Sequence, residues 1–347
     1  MKVVQVLPFF LPDYVGGTEV YCWSLCKYLQ SRGVDVEVLI PHYRSTETTR
    51  YVYDGIPVTK YAEPTELSKA VIAGLVPPEG LKVYKALLAQ LKPDIVHFHG
   101  IYGSVGITVP HIAAARELGC RTLYTMHLAN HVCRTQTLVY KGRDLCDGVI
   151  RPYRCASCAL QFGGVNGVVG RLLPAVSYLL AGAGADTAKW NTRLGTGLSA
   201  VNRIRDLQRD LITIAEECDK VVVIAKWFEA IMRKNGFPAD RLAFIAPALT
   251  YSADRPGEEE PVRFHRPDTL RLIFIGRLFP TKGLDLLLRA MAGLPEEKIE
   301  LSIYGKDDDA DYFRQCQALA AGKKNIHWRG VAPREKVMAI FSQHDAL

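Results

Sequence analysis

Long apolar runs are missing from this chain, and their absence argues against a membrane-spanning helix. The longest uncharged lipid-like stretch, Leu172 to Ala185, is about 14 residues and carries Pro174, whereas a span needs roughly 20. A large charge excess is missing too. Lys and Arg exceed Asp and Glu by only +7, with no concentrated basic stripe. Nucleic acid is therefore not an expected partner, while phosphorylated ligands or an anionic membrane surface suit the mild positive balance. Fibrous and disordered compositions are absent: 48% of residues are hydrophobic and 23% charged, as in ordinary globular domains. An even cysteine set is also lacking. Nine cysteines in 347 residues fit reduced thiols or a metal site better than a secreted disulfide framework. The opening MKVVQVLPFFLPDYVGG is interrupted at Pro8 and Pro12, so it reads as a buried first strand rather than a signal-peptide core. The cytoplasm is the expected compartment, with peripheral contact at the inner face of the cell membrane left open.

The length favours two domains, because a single core rarely fills so much sequence. Short Val- and Ile-rich runs alternate with amphipathic stretches, which predicts a doubly wound α/β architecture with parallel sheets. Strands are expected at Val3 to Leu7, Val34 to Ile40, Asp94 to His99, Arg121 to Met126, Lys220 to Ile224 and Leu242 to Ile245, with helices filling most gaps. A Pro-, Glu- and Arg-rich stretch then reads as a linker. After it the alternation restarts with strands at Leu270 to Ile275, Ile299 to Tyr304 and Ile326 to Arg329, and another strand is expected to begin at the final His344-Asp345-Ala346-Leu347. The resulting division is an N-terminal domain of residues 1–250, a linker at 251–269 and a second domain, expected to be incomplete, at 270–347. Within the first lie a cysteine-rich loop near 128–160 and a helical insertion near 160–215.

Four segments carry residues suited to chemistry. The first strand runs into Gly16-Gly17-Thr18-Glu19 and an amphipathic helix, so Gly16 and Gly17 let backbone N–H groups approach an anion such as phosphate. A tight turn in which Glu19 complements the helix dipole accounts for the same residues. The second domain opens with a strand followed by Gly276-Arg277 and Lys282-Gly283, where two cations bracket a turn able to hold a diphosphate. His97 and His99 share one face at the C-terminal end of a strand, and His127 ends the next, which in open α/β sheets is the ligand edge. Half-buried, satisfied imidazoles are the plainer alternative. Asp307-Asp308-Asp309 reads as a helix cap rather than a cation site.

Cys133, Cys146, Cys155 and Cys158 form C-x12-C-x8-C-x2-C in a loop without its own core, as structural zinc sites often do. Free thiols, a labile cluster and disulfides remain the alternatives. Downstream, small apolar residues lead into the basic amphipathic stretch Lys189 to Arg209, which suits either anionic headgroups or an ordinary solvated helix face.

Gly-Gly-Thr-Glu after the first strand, the His-x-His strand end and Gly-Arg-x4-Lys-Gly after the linker occur in that order, and together they resemble the retaining GT-B glycosyltransferases of family 4. The resemblance implies two Rossmann-like domains facing a cleft, the first binding the acceptor and the second a nucleoside-diphosphate sugar. It implies retention of configuration, no obligatory metal for transfer, a carbohydrate or lipid-linked acceptor, and a place in cell-surface polysaccharide or glycoconjugate synthesis. Arg277 and Lys282 would then hold the donor diphosphate with Gly16 and Gly17 closing on it, while His127, supported by His99, would face the sugar or acceptor. The family's paired late glutamates would lie beyond Leu347, so a chain truncated before them is expected. A sugar-nucleotide epimerase of the same fold, or a non-catalytic binding protein, are the competing functions.

Overall fold

Runs such as Val3-Val4-Gln5-Val6, buried on both faces, belong inside a parallel sheet covered by helices on both sides. The computed structural model describes the chain except residues 67, 69–70, 72–75, 102–105, 186, 188–189, 191, 248–268 and 334–335, and only the backbone of residue 193. The expected linker at 251–269 lies outside the described residues but for Thr269, as do Glu258 to Glu260 and Lys189. Two compact units result, Met1–Tyr251 and Ser252–Leu347.

The first unit carries strands β1 (Lys2–Val6), β2 (Asp35–Tyr43), β3 (Thr49–Tyr53), β4 (Ile56–Glu63), β5 (Ile95–Phe98), β6 (Arg121–Met126), β7 (Val139–Tyr140), β8 (Asp144–Leu145), β9 (Lys220–Val223) and β10 (Leu242–Phe244). Its helices are α1 (Gly17–Ser31), α2 (Gly80–Leu91), α3 (Val109–Glu117), α4 (Pro152–Phe162), α5 (Val169–Gly182), α6 (Arg193–Leu198), α7 (Ala200–Glu217) and α8 (Lys226–Lys234). Eight strands form one sheet in the order β10-β9-β6-β5-β1-β2-β4-β3. All neighbours are parallel except β3 with β4. From β1 the chain builds outward through β2 and then returns to place β5 on the other side of β1. The gap above β1 and β5 is thus a topological switch point, where open α/β sheets leave a crevice.

Two apolar clusters pack this unit. Cys22 and Cys26 of α1 are buried with Val36, Val38, Ile56 and Val58. Val201, Ile204, Leu211 and Ile214 of α7, at helical spacing, pack with Val4, Val6, Phe98 and Tyr124.

The second unit has strands β11 (Leu270–Ile275), β12 (Ile299–Tyr304) and β13 (Ile326–Trp328) and helices α9 (Leu284–Met291), α10 (Ala310–Leu319) and α11 (Val337–Phe341). The strands are parallel in the order β11-β12-β13. Leu284, Leu288, Met291, Leu301, Ile303, Tyr312 and Cys316 make its core. Leu272 already pairs with Leu301 of β12 and also bridges Ala346 in parallel, which places the chain's last residues on the opposite edge of β11. Asp345 secures them by accepting from the Arg271 backbone N–H at 2.8 Å. The strand expected to begin there is present as this single bridge.

Three differences from the sequence expectations matter. The stretch between Ile40 and Asp94 holds the antiparallel pair β3 and β4, whose turn places Asp54 and Gly55 at φ 50° and 76°. The cysteine region is more ordered than a loop: β7 and β8 form a small hairpin, and Cys155 and Cys158 lie on α4. The turn between Arg277 and the next helix is longer than two bracketing cations suggest: Pro280–Lys282 form a 3-10 turn, Gly283 adopts φ 71° and the helix starts at Leu284.

Candidate functional site

At the switch point of the first unit, strand ends bring imidazoles together. His99 follows β5, His127 follows β6, and His99 Nδ1 lies 3.3 Å from His127 Nε2. His97, two residues before His99, has its ring centroid 4.2 Å from that of His99 and its Nε2 2.8 Å from Thr125 Oγ1. Gln5, wholly buried in β1, meets His99 Nε2 with its Oε1 at 2.7 Å. Tyr21 of α1 packs edge-on against His127, with centroids 5.0 Å apart. The two histidines expected at the site are thus in direct contact. Gln5 and Thr125 join them through the pairing of strands, and Tyr21 through the packing of α1 on the strand ends.

Burial decides the charge of this cluster. It pushes His97 down to about 3 and His127 to about 4, and His99 falls well below its ordinary value for the same reason, with His97 and His127 adding to the shift. The three rings are therefore neutral at pH 7. Where Gln5 presents its Oε1 to His99, His99 carries its proton on Nε2 and accepts at Nδ1. His127 then donates from Nε2, which leaves its Nδ1 as an acceptor. A neutral imidazole with so low a proton affinity holds a hydroxyl by hydrogen bonding better than it removes a proton.

Gly16 precedes α1 in extended backbone and Gly17 is its first residue. A Cβ on Gly16 would lie 2.5 Å from Glu19 Oε2, whereas one on Gly17 would meet nothing within 4 Å. The buried Glu19 carboxyl folds back over this turn and is hydrogen bonded to the backbone of Gly16 and Glu19, while burial raises its pKa. The chain's own carboxylate thus takes two of the N–H groups at this turn.

In the second unit, Gly276 and Arg277 leave the end of β11, the strand flanked by β12 on one side and by Ala346 on the other. This is again a switch point. A Cβ on Gly305, at the end of β12, would lie 2.1 Å from the Gly276 carbonyl oxygen, so the two strand ends close together only without a side chain. The need for a residue without a side chain at Gly305 shows only in that contact. Arg277 is 62% exposed and its nearest carboxylate oxygen, on Asp308, is 3.9 Å away. Lys282 is exposed on the same turn and makes no ion pair among the described residues. Both cations are available to an incoming anion. Asp309 caps α10 by accepting from Tyr312 N–H at 3.0 Å, as a cap and not a cation ligand would.

The four cysteines of the expected metal site all line one cavity of about 30 Å³, together with Arg134, Tyr140 and Arg154. They are half-buried and unbridged. Burial raises the Cys155 thiol, and the other three thiols push it the same way. Among the described residues, no group of three or more His, Cys, Asp or Glu is drawn close enough to hold an ion as it stands.

Known proteins share this plan. Residues 16–248 match the model described as Glycosyl transferase 4-like domain, and residues 258–347 match Glycosyl transferases group 1. The phosphatidylinositol N-acetylglucosaminyltransferase GPI3 subunit of Saccharomyces cerevisiae is 21% identical over 99% of this chain and 61% of its own length. An uncharacterized glycosyltransferase of Methanocaldococcus jannaschii is 27% identical over 38% of this chain and 34% of its own length. The chain therefore spans less than two thirds of either relative.

Among solved structures, a glycosyltransferase from Rickettsia africae has a TM-score of 0.52 at 12% identity, covering 99% of this chain and 71% of its own. The catalytic domain of starch synthase IV from Arabidopsis thaliana, bound to ADP and acarbose, has 0.51 at 12%, covering 99% and 76%. Anabaena HepE in complex with UDP-glucose has 0.50 at 10%, covering 96% and 70%. These likenesses show the fold, a GT-B type pair of α/β domains. With the family match over most of its length, the chain belongs to the glycosyl transferase 4-like family of GT-B glycosyltransferases.

Proposed function

We propose that this protein moves a sugar from a nucleoside-diphosphate sugar to a carbohydrate or lipid-linked acceptor with retention of configuration, in cell-surface polysaccharide or glycoconjugate synthesis. The observation that carries the donor half is the turn after β11: two exposed cations at a switch point, with Gly305 letting the two strand ends close together. Breaking a glycosyl phosphate bond builds negative charge on the departing diphosphate, and an Arg fork with a Lys point charge stabilises it where it forms. Two fold neighbours support this donor class, since HepE is solved with UDP-glucose and starch synthase IV with ADP and acarbose. His127, oriented by His99 and Gln5, holds a sugar or acceptor hydroxyl without carrying charge.

The lipid-linked acceptor and a place at the inner face of the cell membrane are supported by α5. Leu172, Val176 and Leu179 lie on its outer face, exposed by 63%, 47% and 72%. No acidic residue occurs between Asp147 and Asp186, while Arg151, Arg154 and Arg171 do. An apolar stripe among cations fits an anionic leaflet. Among the described residues no helix is long and apolar enough to cross a membrane. The name of the yeast relative, which includes phosphatidylinositol, supports the same acceptor class.

Incubation with a panel of nucleotide sugars and lipid-linked or free saccharides tests the reading. Acceptor-dependent release of nucleoside diphosphate, with the product anomer matching the donor by NMR, is the expected result. An altered sugar on intact nucleotide would mean epimerisation, an inverted anomer would overturn retention, and tight donor binding without either product would mean a binding protein.

A further inference from the structure

Four half-buried thiols around one cavity, in a segment with little core of its own, need a reason to be there. Cys133 and Cys146 flank the β7 and β8 hairpin, and Cys155 and Cys158 sit three apart on α4, so two separate backbone elements deliver sulfur to one place. Two of the sulfurs already accept backbone N–H bonds, Cys158 from Lys141 at 3.1 Å and Cys155 from Arg151 at 3.3 Å. The core cysteines differ: Cys22, Cys26 and Cys218 are fully buried among apolar side chains.

We propose that this cavity is a structural Zn²⁺ site with Cys133, Cys146, Cys155 and Cys158 as its four ligands. Each ligating thiol gives up its proton, so one Zn²⁺ releases four protons and leaves a centre of net charge −2. Arg134 and Arg154, which line the cavity, lie where they offset that charge. Among the described residues the four sulfurs are not a ready-made ligand set, so binding would have to draw them together around the cavity they line. Two hydrogen bonds join this segment to the body of the unit, from Ile150 N–H to Asn235 Oδ1 at 2.9 Å and from Asn235 Nδ2 to the Gly148 carbonyl at 2.9 Å. The ion would therefore fasten the hairpin to α4 and steady the path out of His127.

Metal analysis of the full chain, purified without chelators, is the test. One equivalent of zinc per chain is expected, falling below a tenth in Cys155→Ser and Cys158→Ser. Titrating the native parent protein with p-hydroxymercuribenzoate in the presence of a colorimetric zinc indicator needs no variant, and zinc should appear as these thiols react. Less than half an equivalent of zinc with all four thiols freely alkylated in the native protein overturns the proposal. Iron with acid-labile sulfide in place of zinc overturns it in favour of a cluster, and full zinc retention in both serine variants places the ion elsewhere.

Discussion

Arg277 and Lys282 are exposed and loosely partnered, so little must be broken before they meet a ligand. Each charge-assisted hydrogen bond to a diphosphate is worth about 1.5–3 kcal/mol. Arg277→Ala and Lys282→Ala should each weaken nucleoside-diphosphate binding by that amount in calorimetric titration while the bare nucleoside binds as before. Equal losses for both ligands would point to a damaged turn instead. Gly16 and Gly17 make a second residue-scale contrast. Gly17→Ala has open space, but Gly16→Ala drives a methyl into Glu19 Oε2. The first should leave thermal stability within about 0.5 kcal/mol of the parent, and the second should cost about 1–2 kcal/mol through the displaced capping carboxylate. Similar unfolding midpoints for the two variants would show that Glu19 is not held over the turn.

Among the elements, the outer face of α5 leads to a membrane prediction. Leu172→Glu with Leu179→Glu removes apolar area and adds charge that an anionic leaflet repels, at positions already in solvent. The parent should sediment with vesicles of phosphatidylcholine and phosphatidylglycerol and not with phosphatidylcholine alone, and the double variant should stay in the supernatant with its circular dichroism unchanged. Unaltered vesicle binding would remove α5 from the interface. Which elements could be read from the sequence follows from the same physics. Strands rich in apolar and β-branched residues, such as Arg121–Met126, Leu270–Ile275 and Ile299–Tyr304, show in the sequence, and their bounds match the expected ones. Thr49–Tyr53 is an edge strand with mostly exposed side chains, so its apolar signal is weak, and only Asp54-Gly55 marks the hairpin. The histidines stand out because strand alternation aligns them. Gln5, Tyr21 and Gly305 do not, because their importance comes from neighbours 94, 106 and 29 positions away, respectively.

At the scale of the molecule, five buried imidazoles among the described residues tie stability to pH. Burial lowers His97 and His111 to about 3, His127 and His131 to about 4, and His99 well below its usual value. Unfolded, each titrates near 6.5. Between those values the unfolded chain binds protons that the native state refuses, so stability rises with pH and is lost as pH falls from about 6.5 toward 4. The limiting slope is about 1.4 kcal/mol per imidazole per pH unit. Asp210, raised to about 6 by burial, acts the other way, because its native carboxyl takes a proton before the unfolded one does. Glu19, also raised, shares that sign. Five groups against two leave acid destabilising. These five shifted imidazoles all lie in Met1–Tyr251. Hydrogen exchange read by mass spectrometry, corrected for intrinsic rates, should therefore show protection falling between pH 6.5 and 4.5 in peptides from residues 1–247. Peptides from residues 269–347 should lose far less. Uniform loss in both sets would mean that the imidazoles are not what acid attacks. Protection retained at pH 4.5 in β5 and β6 would mean that the cluster at the strand ends accepts protons without unfolding, and would reopen His127 to a role as a charged group.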